Sequence, residues 1–214
     1  TQGIAQSRSK LAHVAQDQGR DHEARALLER SLVLRRELGD KLRMARLLNA
    51  LGYVAKAQRR PLAALTHYRE SLALRRELGD MRGVAWSLVL LAGWAEGQHD
   101  YALALTLYRQ SLRMRWEWAS QSAIEEGLID VAFVAKAQGD FVRAARLFGA
   151  KEALAERRGI SPRGVKLDRF AKHMANRLEE RQVRAGWNEG RTMTLEQAVH
   201  YALDETGDEV RGID

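Results

Sequence analysis

Apolar positions recur along this chain at two periods. The short period is helical. Leu47, Leu48, Leu51, Val54 and Ala55 stand at helical spacing, and the next helix carries Leu62, Leu65, Tyr68, Leu72 and Leu74. The long period is 40 residues. Residues 31–40 read Ser-Leu-Val-Leu-Arg-Arg-Glu-Leu-Gly-Asp and return at 71–80 with only Val33 replaced, by Ala73. Residues 111–120 are a degraded copy, and at 151–160 Leu154 and Gly159 keep register with Leu34 and Gly39. A fixed period of this size marks stacked repeats, each one supersecondary unit.

Two helices are predicted per unit. Asp40 is placed to cap a helix running to about Arg59. Arg59-Arg60-Pro61 breaks it, with Pro61 suited to the first turn of the next helix. That helix ends at Gly79, and Asp80 caps its successor. Leu34 and Leu38 extend the buried stripe, and Ser31, Ser71 and Ser111 are the small residues of close helix contact. The expected domains are residues 1–160, four repeats of about 1–40, 41–80, 81–120 and 121–160; a helical cap over 161–204; and a frayed tail at 205–214.

Within the cap, Ser161-Pro162 opens a helix to around Glu180 with a stripe of Leu167, Phe170, Ala171, Met174 and Leu178. A second helix covers residues 180–188 and is ended by Gly190. Thr194-Leu-Glu-Gln197 fits a capping box and starts a last helix, from Leu195 to about Asp204.

The units resemble the tetratricopeptide repeat. The second shows Leu51-Gly52, Ala64, Tyr68 and Ser71. The third shows Leu91-Ala92, Asp100-Tyr101, Ala104, Tyr108 and Ser111. The fourth shows Val131-Ala132, Gly139-Asp140-Phe141, Ala144, Phe148 and Ala150, and the first is weaker, with Leu11-Ala12, Gly19, Ala24, Leu28 and Ser31. The resemblance implies an all-α fold, a right-handed superhelix of about four helix pairs, an α-α solenoid. The period departs from the family's usual 34, and the extra six residues are expected in the second helix and its connection. A narrower likeness lies in Arg146-Leu-Phe-Gly-Ala-Lys-Glu-Ala-Leu154 and in residues 187–203. These look like the C-terminal end of large bacterial regulators, in which a signalling ATPase precedes such repeats, often with a helix-turn-helix of the LuxR or AfsR type. That likeness implies a sensor or partner-binding arm.

Composition narrows the picture. With 45% hydrophobic and 29% charged residues in 214, the chain can bury a core. Two prolines suit an all-helical chain. The absence of cysteine removes disulfides and thiolate metal sites. No uncharged apolar run is long enough for a membrane span and no leader opens the chain, so a cytoplasmic setting is the simplest expectation. The first residue is Thr1, which leads us to expect a piece of a longer protein. The net charge of +7 belongs to the repeats: residues 1–160 hold 26 Lys+Arg against 18 Asp+Glu, while 161–214 hold 9 against 10.

Catalytic chemistry finds no footing. The phosphate-binding pattern G-x-x-x-x-G-K-[ST], a G-x-G-x-x-G after a strand, His-Glu-x-x-His and G-x-S-x-G are all missing. His13, His22, His67, His99, His173 and His200 are scattered, none at metal-pair spacing. Glu125-Glu126 and Glu179-Glu180 are adjacent only in sequence and read as solvated faces. The expectation is a non-enzyme with no cofactor.

By the resemblance, ligand contacts come from first-helix positions around the Leu-Gly pair. These are Ser9, His13 and Gln16; Asn49, Tyr53 and Lys56; Val89, Gly93 and Glu96; and Ile129, Phe133 and Lys136. One turn earlier lie Arg46, Trp86 and Glu126. The expected partner-binding face is Arg46, Asn49, Tyr53, Lys56, Trp86, Glu96, Glu126, Phe133 and Lys136, aromatic anchors with charges that suit a protein or peptide segment, or a small inducer. Trp86 and Phe133 have the alternative of packing between units, and Trp94 is expected in the core beside Val54 and Val134. Arg35, Arg36, Arg75, Arg76, Arg113 and Arg115 recur on second helices as a basic ridge. Glu37, Glu77 and Glu117 accompany them without interleaved aromatics, which argues for a solvated face and against direct nucleic-acid binding. Three readings stay open: a module of a larger regulator, a free-standing scaffold, and a nucleic-acid array. A homodimer through Leu11 and Val14 is a further alternative if the first unit is a cut surface.

Overall fold

A computed structural model describes residues 19–161 and 180–204, with Leu11, Ala15, Met174 and Arg177. Ser9, His13 and Gln16, the helix expected over 162–179 and the tail at 205–214 lie outside the described residues. The described chain is all-α. Its helices are α1 (Asp21–Glu37), α2 (Lys41–Ala57), α3 (Pro61–Glu77), α4 (Met81–Gly97), α5 (Tyr101–Trp118), α6 (Gln121–Ala137), α7 (Phe141–Arg157), α8 (Arg181–Thr192) and α9 (Leu195–Leu203). No described helix is long and apolar enough to cross a membrane.

Helices α1 to α7 begin every 20 residues, so the 40-residue period is two equal halves. Both α2 and α3 have 17 residues. The length beyond the family's usual repeat is therefore shared, not carried by the second helix alone. Turns close in the left-handed region at Gly39, Gly79, Gly139 and Gly159, and also at Arg59 and His99. Asp40, Asp80, Asp100 and Asp140 each accept a backbone N–H three residues on. At the degraded copy Ser120 makes no side-chain cap, and α5 runs on to Trp118.

The chain forms two compact units, Thr1–His99 and Asp100–Asp214. In the first, α1 packs on α2, α2 on α3 and α3 on α4. Leu28, Leu32, Leu47, Leu48, Leu51 and Val54 are its core. Leu38, expected on the buried stripe, is exposed, as is Leu62 in the first turn of α3. Ser31 and Ser71 are buried at helix crossings, and the Ser71 hydroxyl donates to the Ala45 carbonyl at 2.8 Å.

The arginine ridge is not a solvated face throughout. Arg35 and Arg75 are buried, 2% and 7% exposed, while Arg36 and Arg76 face solvent. The Arg35 guanidinium reaches Asp40 Oδ2 at 3.1 Å, and Arg75 reaches Asp80 Oδ2 at 3.0 Å. The carboxylate that caps one helix thus anchors the preceding one. Burial would raise the Asp40 pKa, but hydrogen bonds from Arg43 and the charges of Arg43 and Arg35 outweigh it and hold the carboxyl below its usual range. Its folded value is depressed, so this contribution is full above about pH 3.9 and fades as pH falls through the folded value.

In the second unit α5 packs on α6, α6 on α7 and α7 on α8. Arg115 is likewise buried, but with Ser120 in place of an aspartate its guanidinium donates to the Ala123 carbonyl at 3.0 Å. Glu125 is also buried, paired with Arg158 at 2.6 Å, not solvated. Gly190 lies inside α8 rather than at its end. A Cβ there would come within 1.9 Å of the Arg146 carbonyl oxygen, and one at Gly186 within 3.0 Å of Val142's. The Gly-x-x-x-Gly spacing thus brings two helix backbones together. Phe148 and Trp187 pack beside the crossing, ring centroids 5.0 Å apart. The Thr194–Gln197 capping box forms as expected.

Two outcomes check this picture. Arg59→Gly relieves a left-handed non-glycine residue and should stabilise the protein by about 0.5–1 kcal/mol in urea denaturation. Gly190→Ala should destabilise it by about 1–3 kcal/mol, with near-ultraviolet dichroism of Trp187 diminished, because backbone atoms cannot yield to the new methyl.

Candidate interaction face

In the first unit the parallel helices α2 and α4 present one face. Two side chains set their register. Asn49 Nδ2 donates to Ser87 Oγ at 3.3 Å, and Lys56 Nζ donates to the Gly93 carbonyl at 2.9 Å. Their sequence separations are 38 and 37 residues, so the helices run side by side one repeat apart. Behind them Gly52 makes room for Tyr68, whose ring would lie 2.3 Å from an added Cβ. Tyr68 is 1% exposed, and burial, with the neighbouring Tyr53, pushes its hydroxyl up to about 12.

On the outer side stand Tyr53, 60% exposed, and Trp86, 51% exposed. Arg46 and Lys56 are exposed on α2, and Glu96 is half-buried on α4. Asn49 is buried. Its amide nitrogen serves Ser87, while its Oδ1 has no hydrogen-bond partner in the structure. Trp94 is half-buried and its indole N–H donates to the Pro61 carbonyl at 2.8 Å, tying α4 to the start of α3. It therefore sits at the edge of the core, not inside it as Val54 does.

The second unit carries the remaining candidates on α6. Glu126 is exposed, and Phe133 and Lys136 are half-buried, the Lys136 ammonium 5.8 Å from the Phe133 ring centroid. Sequence reasoning missed Ser87, whose hydroxyl lies 3.4 Å from that of Ser71 and links α2, α3 and α4. Its signal was phase: Ser87 lies on the stripe of Val84, Leu88 and Leu91.

A family model, tetratricopeptide repeat, matches residues 3–77 and 43–115, more than half of the chain. The chain belongs to the tetratricopeptide repeat family. No curated protein matches it. Among solved structures, BtubC (BKLC) from P. vanneervenii is 23% identical, with a TM-score of 0.65 over 75% of this chain and 66% of that one. This chain thus spans just under two thirds of that protein. The nearly identical TPR-like repeats of a Podosopora anserina kinesin light chain are 16% identical, with a TM-score of 0.66 over 88% of this chain and 97% of that one. A variant of those repeats gives 14% and 0.64, over 97% and 96%. These likenesses establish the helical repeat fold.

If the α2–α4 face is surface and not core, Tyr53→Ala and Trp86→Ala should each shift stability by less than about 0.5 kcal/mol, with helicity by far-ultraviolet dichroism unchanged.

Proposed function

We propose that the protein is a non-catalytic interaction module whose α2–α4 face takes a peptide or helical segment. The observation that carries this reading is the pair of large aromatics, Tyr53 and Trp86, more than half exposed on the two helices of one face. Amphipathic aromatics at this exposure are the residues that anchor a partner. Arg46 and Lys56 beside them favour a segment with acidic side chains. Glu126, Phe133 and Lys136 on α6 are proposed as contacts for the same class of ligand in the second unit.

We assign the module to the C-terminal sensor or partner-binding region of a larger bacterial regulator, four repeats closed by a helical cap. The sequence likeness at residues 146–154 and 187–203 supports this. Occupancy would be passed on by stiffening of the repeats, since each repeat touches its neighbours. A reading frame that continues upstream of Thr1 into a phosphate-binding or helix-turn-helix segment agrees with it. A start codon close by points to a free-standing scaffold instead.

The binding test is a selection of random 12-residue peptides on the immobilised protein. Peptides enriched on it should lose at least tenfold in affinity with Tyr53→Ala plus Lys56→Ala, while helicity stays constant. Unchanged affinity would place the ligand on another surface.

A further inference from the structure

The end of α9 is held in the second unit by three arginines from two other helices. Arg109 on α5 donates through Nε to the Ala202 carbonyl at 2.9 Å and pairs with Asp204. Arg143 on α7 donates to the Tyr201 and Ala202 carbonyls at 2.9 and 3.2 Å and pairs with Asp204 at 2.5 Å. Arg146 bonds the Tyr201 hydroxyl at 3.1 Å and pairs with Glu189. The Arg143 and Arg146 guanidiniums lie over the Tyr201 ring, 5.2 and 4.9 Å from its centroid. The cradle recognises a helix C-terminus, a ring and a carboxylate together.

The resident segment fills it imperfectly. Asp204 ends the helix in a left-handed backbone, φ 59° and ψ 28°, a conformation that glycine adopts more readily than aspartate. Its carboxylate sits at a helix C-terminus, where the dipole opposes it. Burial also works against the charge, and only the hydrogen bonds and charges of Arg143 and Arg109 hold the carboxyl below its usual range. The Nε atoms of Arg143 and Arg146 are buried and have no hydrogen-bond partner in the structure. The apolar footprint is small, Ala198, Val199, Ala202 and Leu203, on a helix of nine residues. Such a helix has little stability of its own. From Asp204 to the end, the sequence carries five acidic residues against one arginine.

We propose that this arginine cradle on α5 and α7 is a second docking site, for a partner's short helix with a small-residue face and an acidic C-terminal end, and that α9 is its displaceable resident. The site is separate from the α2–α4 face and does not depend on it. A ligand that uses the two idle Nε donors competes with α9 for the same arginines.

The test uses the full chain and a fluorescent synthetic peptide of residues 194–204, the resident's own sequence. Ala202→Asp places a charge under α9 and unseats it. This variant should bind the peptide at least tenfold more tightly than wild type, because the resident no longer competes. Adding Arg143→Ala should remove at least tenfold of that affinity, and raising salt from about 0.05 to 0.5 M should weaken it further, as charge pairing requires. Equal affinity for wild type and Ala202→Asp, or no loss with Arg143→Ala, overturns the proposal. Hydrogen exchange on the wild type keeps it testable if the variant fails to fold: α9 amides should exchange well before those of α7 and faster at high salt. Exchange of α9 only together with α7 overturns it equally.

Discussion

One carboxylate at each of the Gly39-Asp40 and Gly79-Asp80 turns carries two duties. Asp80 Oδ1 accepts the Gly83 N–H and so starts α4, while Oδ2 accepts the buried Arg75 guanidinium and so fixes where α3 ends. Burial pulls the Arg75 guanidinium below its ordinary pKa, and Asp80 only partly restores it. The arginine therefore needs this partner: a buried charge left alone costs several kcal/mol. Because the same atoms terminate one helix and initiate the next, the turn has little freedom and the following helix enters at a set angle. Everything on the α2–α4 face inherits its placement from that lock.

The same chemistry recurs wherever elements must be joined. Arg115 substitutes a backbone carbonyl for the missing aspartate. Arg157 donates to the Arg191 and Met193 carbonyls and closes the end of α8, and Arg191 bridges Glu152 and Glu156. Much of the positive charge that makes the repeats look like a nucleic-acid surface is turned inward or paired. A buried guanidinium offers no phosphate contact, which weakens the ridge reading more directly than composition could.

Helix boundaries were legible because their signals are local. Pro61, the Gly-Asp pairs and the Thr194 capping box each act within one turn, so the sequence alone placed α2, α3 and α9 closely. Burial of arginine was harder to read, since Arg35 and Arg36 are chemically identical neighbours. Only phase separates them: Arg35 follows Leu28, Ser31 and Leu32 on the buried stripe, and Arg36 does not. Glu125 follows the same rule beside Ile124 and Leu128. Gly190 was misread as a stop because a glycine that admits another backbone looks, in sequence, like one that ends a helix. The α9 cradle had no sequence signal, as Arg109 and Asp204 are 95 residues apart.

The most direct test is a double-mutant cycle on the turn, with Arg75→Met, Asp80→Asn and the combination measured by urea denaturation. The account predicts a coupling of about 1–3 kcal/mol, with the double variant more stable than the sum of the single losses implies. Additive losses with no coupling would contradict it and return Arg75 to the role of a solvated helix residue.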